Sequence, residues 1–200
     1  MAVQSARRTE IAEALLSVMA ERGYDGATIA QIAAAAGIRP GLVHYHFTDK
    51  REILRAAIEL LAGRHRARLD AALEASAPEP PARLRAFIEA HLALDEGAQS
   101  SALAAWIWMS AEALRDEDTR KAVEAVWVEL EARLRTLIEE GVEHGWFGTV
   151  DADAAPAALL AAVQGYFVLS ATAPALVPRG SAVRSVLTMT RGLLGLEVEP

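Results

Sequence analysis

Fourteen residues, "GIRPGLVHYHFTDK" (37–50), gather side chains suited to recognising an anion with readable edges. Arg39 carries a planar fork of N–H donors that matches guanine O6/N7 or a phosphate. His44, Tyr45 and His46 can bond a phosphate or a base edge, and Lys50 is a compact cation. Leu42 offers an apolar tip of the kind that touches a thymine methyl. Val43 and Phe47 stand four residues apart and so share a helical face. With that face turned inward, Arg39, Leu42, His44 and Tyr45 point elsewhere. A two-turn helix burying two apolar residues does not need such chemistry on its other sides. Double-stranded DNA offers both the phosphates and the base edges that these groups fit.

The elements around this stretch are spaced to present it. Ile32, Ala33, Ala36, Gly37, Ile38 and Val43 have the spacing of a helix-turn-helix. Ala33 is small enough for a second helix to cross close above it. Gly37 can take the left-handed backbone of the turn, and Ile32, Ile38 and Val43 fill the wedge. The second helix of such a pair lies in the major groove. Thr28 stands where an N-cap belongs, opening a short helix over "IAQIAAAAG". Pro40 is tolerated in the first turn of the next. Asp49 and Glu52 resemble a capping box opening a fourth helix, where Lys50 would sit beside free N–H groups as a phosphate seat. Ahead of all this, Ile11, Leu15, Val18 and Met19 form one apolar stripe that ends near "RGYDG".

The stretch "IAEALLSVMAERGYDGATIAQIAAAAGIRPGLVHYHFTDKREIL" resembles the DNA-binding domain of the tetracycline-repressor (TetR) family, without a gap from about Thr9 to Leu54. The distinctive pieces are "ERGYDGATIAQIA", "AGI" and "YHFTDK". The resemblance implies a homodimeric, ligand-responsive transcriptional regulator, usually a repressor, on a palindromic operator. By that resemblance Thr28 contacts a phosphate. Arg39, Pro40, Gly41, Leu42, His44, Tyr45 and His46 make the DNA-facing surface, and Lys50 is the lysine that follows the Phe. Two positions depart from the pattern: a small or polar residue is common where Leu42 stands, and tyrosine where His44 stands. Base preference therefore does not carry over. Further on, "LAAWIWMSAEALRDEDTR" resembles the regulatory half of betaine-repressor-like members. A DNA-binding segment 1–54, with a linking helix from near 49, and a ligand-binding and dimerisation segment 55–200 are expected.

The composition fits an all-α chain of about nine helices. Hydrophobic residues make up 52%, enough for a substantial core, and alternating β-branched runs are missing. Cysteine is absent, which removes disulfides and thiolate chemistry and suits a cytoplasmic protein. The start, "MAVQSARRTEIAEALL", has no signal-peptide pattern. Net charge is -7, yet the first 55 residues hold seven Lys/Arg against six Asp/Glu, and the remainder thirteen against twenty-one. An anionic partner must therefore meet a local face near the N-terminus. Arg7 and Arg8 are read there as a possible arm reaching phosphates or a minor groove, or as a disordered start.

Beyond "SAPEPP" the periodicity predicts helices from about Arg83 to Leu94, over "ALAAWIWMSAEAL", and through Val123, Trp127, Leu130, Leu134 and Leu137. An uncharged helix follows over about Asp151 to Thr172. The charge-free stretch from Ala154 to Pro178 is long enough to span a bilayer, but Pro156, Pro174 and its polar residues favour a buried helix of a soluble protein, so no membrane partner is expected. The last helix covers about Ser181 to Leu194. These two are expected to pair with their mates in a four-helix dimer interface. Phe87, Trp106, Met109, Trp127 and Phe167, with His91, Gln164 and Tyr166 as polar groups, are candidates to line a cavity for an apolar or aromatic effector. His91 with Asp95 is the alternative of a metal pair, but no metal and no cofactor is expected. An enzyme is the main rival class. The sequence has no His/Glu metal motif, no phosphate-cradling glycine loop and no nucleophile elbow, so an enzyme is not expected. A ligand carrier without DNA binding is the second rival.

Overall fold

The computed structural model describes residues 2–92, 98–148, 151, 154–178 and 180–195. Among these are nine α-helices: α1 (Ala2–Gly26), α2 (Ile29–Ala35), α3 (Pro40–His46), α4 (Lys50–Ala75), α5 (Pro80–Leu92), α6 (Ala98–Glu112), α7 (Glu117–Glu143), α8 (Ala154–Thr172) and α9 (Ser181–Leu193). The described residues contain no strand, so the all-α expectation holds. The first helix is interrupted at Gly23, whose φ of 70° leaves the helical region. The fourth runs continuously through Gly63. The fifth begins earlier than the periodicity predicts, because two prolines fit its first turn, where no N–H partner is lost.

The described residues divide into two compact units. One is built from residues within 1–65 and 95–126. Its core is the apolar stripe of α1, with Ile11, Leu15 and Met19 fully buried, packed on α2, α3 and α6. On α6, Ala105 and Met109 are buried. The Trp108 ring lies so close to Gly23 that a Cβ there would sit 3.1 Å from it.

The other unit is built from residues within 66–94 and 127–200. In it, α5 packs on α8 and α9, and α8 on α9. Leu84, Phe87 and Ile88 of α5 and Val186 of α9 are buried. Three arginines tie its helices together. Arg66 forks onto Glu129 at 2.7 and 2.6 Å, Arg133 meets Asp70 at 2.5 Å, and Arg83 meets Glu140 at 2.8 Å. After α7 the chain turns back so that the Phe147 ring covers Gly141, and Gly148 N–H donates to the Leu194 carbonyl at 2.8 Å.

The uncharged helix α8 is not buried on all sides, contrary to expectation. Ala155, Pro156, Leu159, Leu160 and Val163 of its first half are buried, while Ala154, Ala158, Ala161, Gly165, Val168, Leu169 and Thr172 are exposed. Its mean hydropathy is 1.5 over a membrane-length window, but small residues, not bulky apolar ones, dominate the open face. Such a stripe permits close helix–helix approach.

Candidate nucleic-acid interface

The recognition pair is built as the spacing requires. Thr28 caps α2 with a full capping box: its Oγ1 accepts from Gln31 N–H at 3.3 Å, and its own N–H donates to Gln31 Oε1 at 2.9 Å. The α2 end closes with two crossed bonds, Ile38 N–H to Ala33 O at 2.9 Å and Gly37 N–H to Ala34 O at 3.1 Å. That closure needs a left-handed residue, and Gly37 supplies it at φ 66°. Ile32, Ala33 and Val43 are fully buried in the wedge, while Ile38 is half-buried.

Pro40 opens α3 and Arg39 stands at its N-cap. Val43 and Phe47 point inward, 0% and 2% exposed. Arg39, Pro40, Gly41, Leu42, His44 and Tyr45 are all exposed, Tyr45 at 74%. Thr28, at the start of α2, is exposed as well. His46 is only half-exposed. Its ring meets Tyr45 edge-on with centroids 5.0 Å apart, and its Nδ1 is buried with no hydrogen-bond partner among the described residues.

Lys50 is placed differently from a free phosphate seat. Its Nζ donates to the Tyr24 carbonyl at 2.8 Å and lies 4.1 Å from the Tyr24 ring centroid. Burial, with Glu112 next in effect, pushes the Tyr24 phenol up to about 12, so this ring stays neutral at any working pH. Lys50 therefore holds the end of α1 with part of its donor set.

The start of α4 refines the expected capping box. Asp49 Oδ1 accepts from Glu52 N–H at 2.8 Å, but the Glu52 side chain reaches back to Thr48, accepting from its N–H at 2.8 Å and its hydroxyl at 3.0 Å. The Thr48 N–H, followed by a hydrogen bond from Arg8, draws the Glu52 carboxyl down to about 2. Arg8 reads in sequence either as part of an arm or as part of a disordered start. Instead its guanidinium bonds the His46 carbonyl and Glu52 Oε1, the latter at 2.8 Å, and stacks 4.0 Å over the Phe47 ring. Arg7 pairs with Glu10 on the same helix. Sequence reasoning missed Arg8's role because its partners lie 38 and 44 residues away.

Of the predicted effector residues, Trp106 and Met109 belong to the first unit, and Phe87, His91, Trp127, Gln164, Tyr166 and Phe167 to the second. Phe87 and His91 are buried and stacked on each other, centroids 4.6 Å apart, with His91 Nδ1 3.2 Å from the Phe87 carbonyl. Trp127 and Gln164 line one open cleft of about 500 Å³ with Val128, Glu131, Ala157, Leu160 and Ala161. Gln164 Oε1 is buried without a partner among the described residues. Tyr166 and Phe167 are half-buried elsewhere around α8. Asp95, the second half of the alternative metal pair, lies outside the described residues; the described ones hold no group of three metal-ligating side chains.

A short exposed helix bearing Arg, His and Tyr, crossed on a capped partner helix, defines a DNA-binding transcriptional regulator. The family comparisons agree. Residues 11–61 match the bacterial regulatory proteins of the tetR family, and residues 80–195 match the C-terminal region of BetI-type transcriptional repressors. The HTH-type transcriptional regulator BetI of Rhizobium meliloti is 34% identical over 119 residues, 60% of this chain and 58% of that protein. A transcriptional regulator from Rhodococcus sp. Rha1 superposes with a TM-score of 0.82 at 27% identity, covering 96% of this chain and 99% of the other. A regulator from Saccharomonospora viridis, solved in complex with choline, superposes with a TM-score of 0.81 at 24% identity over 96% of each chain. The chain belongs to the TetR family, and its C-terminal half is of the BetI type. That family is one of transcriptional regulators, not enzymes.

Proposed function

We propose that the protein is a cytoplasmic repressor that binds an inverted-repeat operator as a homodimer and leaves it when a small effector binds. The outward face of α3 carries this reading: Arg39, Leu42, His44 and Tyr45 are exposed while Val43 and Phe47 are buried. Thr28 and Lys50 add phosphate contacts, Lys50 through the donor capacity left after Tyr24. Pro40, Gly41 and His46 complete the surface. Residues 1–54 read DNA, and residues 55–200 bind effector and pair the two copies.

Pairing is assigned to the open stripe of α8 and to Met189 and Leu193 of α9, 47% and 39% exposed. One seven-residue helix reads few bases, and two such helices must match the recurrence of the major groove, about 34–36 Å. An effector that prefers one tilt of α4 alters that match. Coupling of this type is typically about 1–3 kcal/mol and is reciprocal, so operator weakens effector binding by the same factor.

The effector is assigned as small and apolar or aromatic, with Trp127 and Gln164 of the α7–α8 cleft among its candidate contacts. A second reading, a quaternary ammonium, is favoured by one observation. The α7–α8 cleft offers the Trp127 ring, the Glu131 carboxylate and Gln164 Oε1, groups that suit an organic cation. The Saccharomonospora regulator holds choline. Calorimetric titration with choline and with its uncharged carbon analogue separates the readings: heat from choline alone supports the cation.

The deciding experiment is selection of bound fragments from a random duplex pool at about 150 mM salt, where non-specific binding is weak, with light scattering on the same sample. An enriched inverted repeat and twice the 21.4 kDa chain mass are expected. A folded monomer that enriches nothing, with or without effector, overturns the reading in favour of a ligand carrier.

A further inference from the structure

The recognition helix has seven residues, far too short to persist alone. Its C-terminal carbonyls lack intrahelical partners. One of them, on His46, is taken by Arg8 from α1. The other guanidinium nitrogen bonds Glu52 in the first turn of α4, and its plane covers Phe47, the first of the three residues between the two helices. Glu52 in turn receives both the N–H and the hydroxyl of Thr48. A single side chain thus closes the end of α3, the turn and the start of α4 into one hydrogen-bonded cluster. Its positive charge also sits where the α3 dipole favours a cation.

We propose that Arg8 is a positioning residue for DNA reading: it fixes the angle of the recognition helix through the His46 carbonyl and Glu52, and does not itself bind phosphate. The proposal rests on the DNA-reading role of α3. The guanidinium can do this because it is a rigid fork with a flat face. It bonds two acceptors in different directions and stacks on an aromatic ring at once. A lysine ammonium has no flat face and cannot reproduce that set. A phosphate-binding arginine, in contrast, would hold its donors toward solvent, whereas here both terminal nitrogens are spent on the protein.

The test uses the full-length protein and the variants R8A, R8K, E52Q and R8A/E52Q. The probes are the selected inverted-repeat duplex and a scrambled duplex of equal length, titrated over a range of salt. R8A is expected to lose about 10- to 100-fold on the repeat and much less on scrambled DNA, with the slope of log affinity against log salt unchanged. R8K does not restore affinity, E52Q moves in the same direction, and the double variant is no worse than R8A. A slope shallower by about 1.8, roughly 0.9 for each protomer of the dimer, with equal loss on both duplexes, would make Arg8 a phosphate contact and overturn the proposal. Hydrogen exchange without DNA is the second arm. Amides 42–47 are expected to exchange faster in R8A while those of α2 do not change; unchanged exchange in α3 also overturns it. Should R8A not fold, R8K and E52Q carry the same comparison. The exchange arm does not depend on DNA, so a failure of the DNA-reading role is distinguishable from a failure of the Arg8 role.

Discussion

Gly41 lies in the first turn of α3, and nothing stands within 4 Å of where its Cβ would point. Its φ is not positive, so the backbone does not require glycine. Glycine inside a helix costs roughly 0.5–1 kcal/mol relative to alanine. The fold gains nothing from it, and on the proposed DNA face a bare Cα permits close approach of another molecule. Gly41→Ala is therefore expected to leave the thermal midpoint unchanged or raised, while operator affinity falls at least tenfold in a fluorescence titration. Unchanged affinity would remove Gly41 from the interface. Lys50 behaves in the opposite way. Its ammonium serves the Tyr24 carbonyl and ring, so Lys50→Ala is expected to lower stability by about 1–2 kcal/mol in denaturant as well as weakening binding to every duplex. A stability unchanged by Lys50→Ala would return it to the role of a plain phosphate contact. The exposed face of α3 was legible in sequence, because Val43 and Phe47 set the inward side and everything else follows from helical periodicity. The inward turn of Lys50 was not, because it depends on where the end of α1 lies.

At the scale of the element, caps and turns decide where helices start and how they are held. The Thr28 cap and the Gly37 turn were legible from local spacing, since both act within a few residues. The Glu52 arrangement was legible only in part: Asp49 and Glu52 mark the start of α4, but Arg8 arrives from another helix. The pH consequence follows from the depressed Glu52 carboxyl. Its folded value of about 2 lies below the ordinary 4.5, so its stabilisation is fully present above about pH 4.5 and is lost as pH falls toward 2. The gain has an upper bound of about 3 kcal/mol and is reduced by solvent at this part-exposed group. Glu52→Gln is expected to lower stability at pH 7 and to flatten the acid limb between pH 4.5 and 2; an acid limb as steep as in the parent chain would contradict this. In the second unit, a Cβ on Gly141 would fall 2.1 Å from the buried Phe147 ring. Gly141→Ala is expected to cost about 1–3 kcal/mol by overpacking, despite its better helix propensity, and Phe147→Leu should recover part of the loss. Equal or greater stability for Gly141→Ala in a melt would show that the ring is free to move. The sequence could not reveal this contact, since it arises from the turn at 144–147 folding the chain back on α7.

For the whole molecule, charge and symmetry set how DNA is met. The chain carries -7 overall, and its acidic excess lies beyond residue 55, so DNA is attracted locally and repelled elsewhere. A single short helix against that background binds weakly, and pairing of two heads is what makes reading an operator feasible. The second unit carries a feature that parallels Gly41. Gly165 lies mid-way along α8, exposed, with nothing within 4 Å of its Cβ direction. A mid-helix glycine costs about 1 kcal/mol relative to alanine, and within one chain nothing requires it. It is flanked on the open side by Ala161, Val168 and Leu169, a surface shaped for a closely approaching helix. The uncharged character of α8 reads in sequence as burial; the structure leaves its Ala161, Gly165, Val168 and Leu169 face exposed, and the proposed pairing would cover it. Gly165→Leu is therefore expected to leave the helical circular dichroism intact, because the added side chain meets open space. It should shift the light-scattering mass at low micromolar concentration from two chains to one, and operator affinity should fall by at least a hundredfold as the second head is lost. A Gly165→Leu protein that stays dimeric with full affinity would move the pairing surface away from this stripe of α8. A parent chain that is itself monomeric while still enriching an inverted repeat would mean that the two heads meet only on DNA.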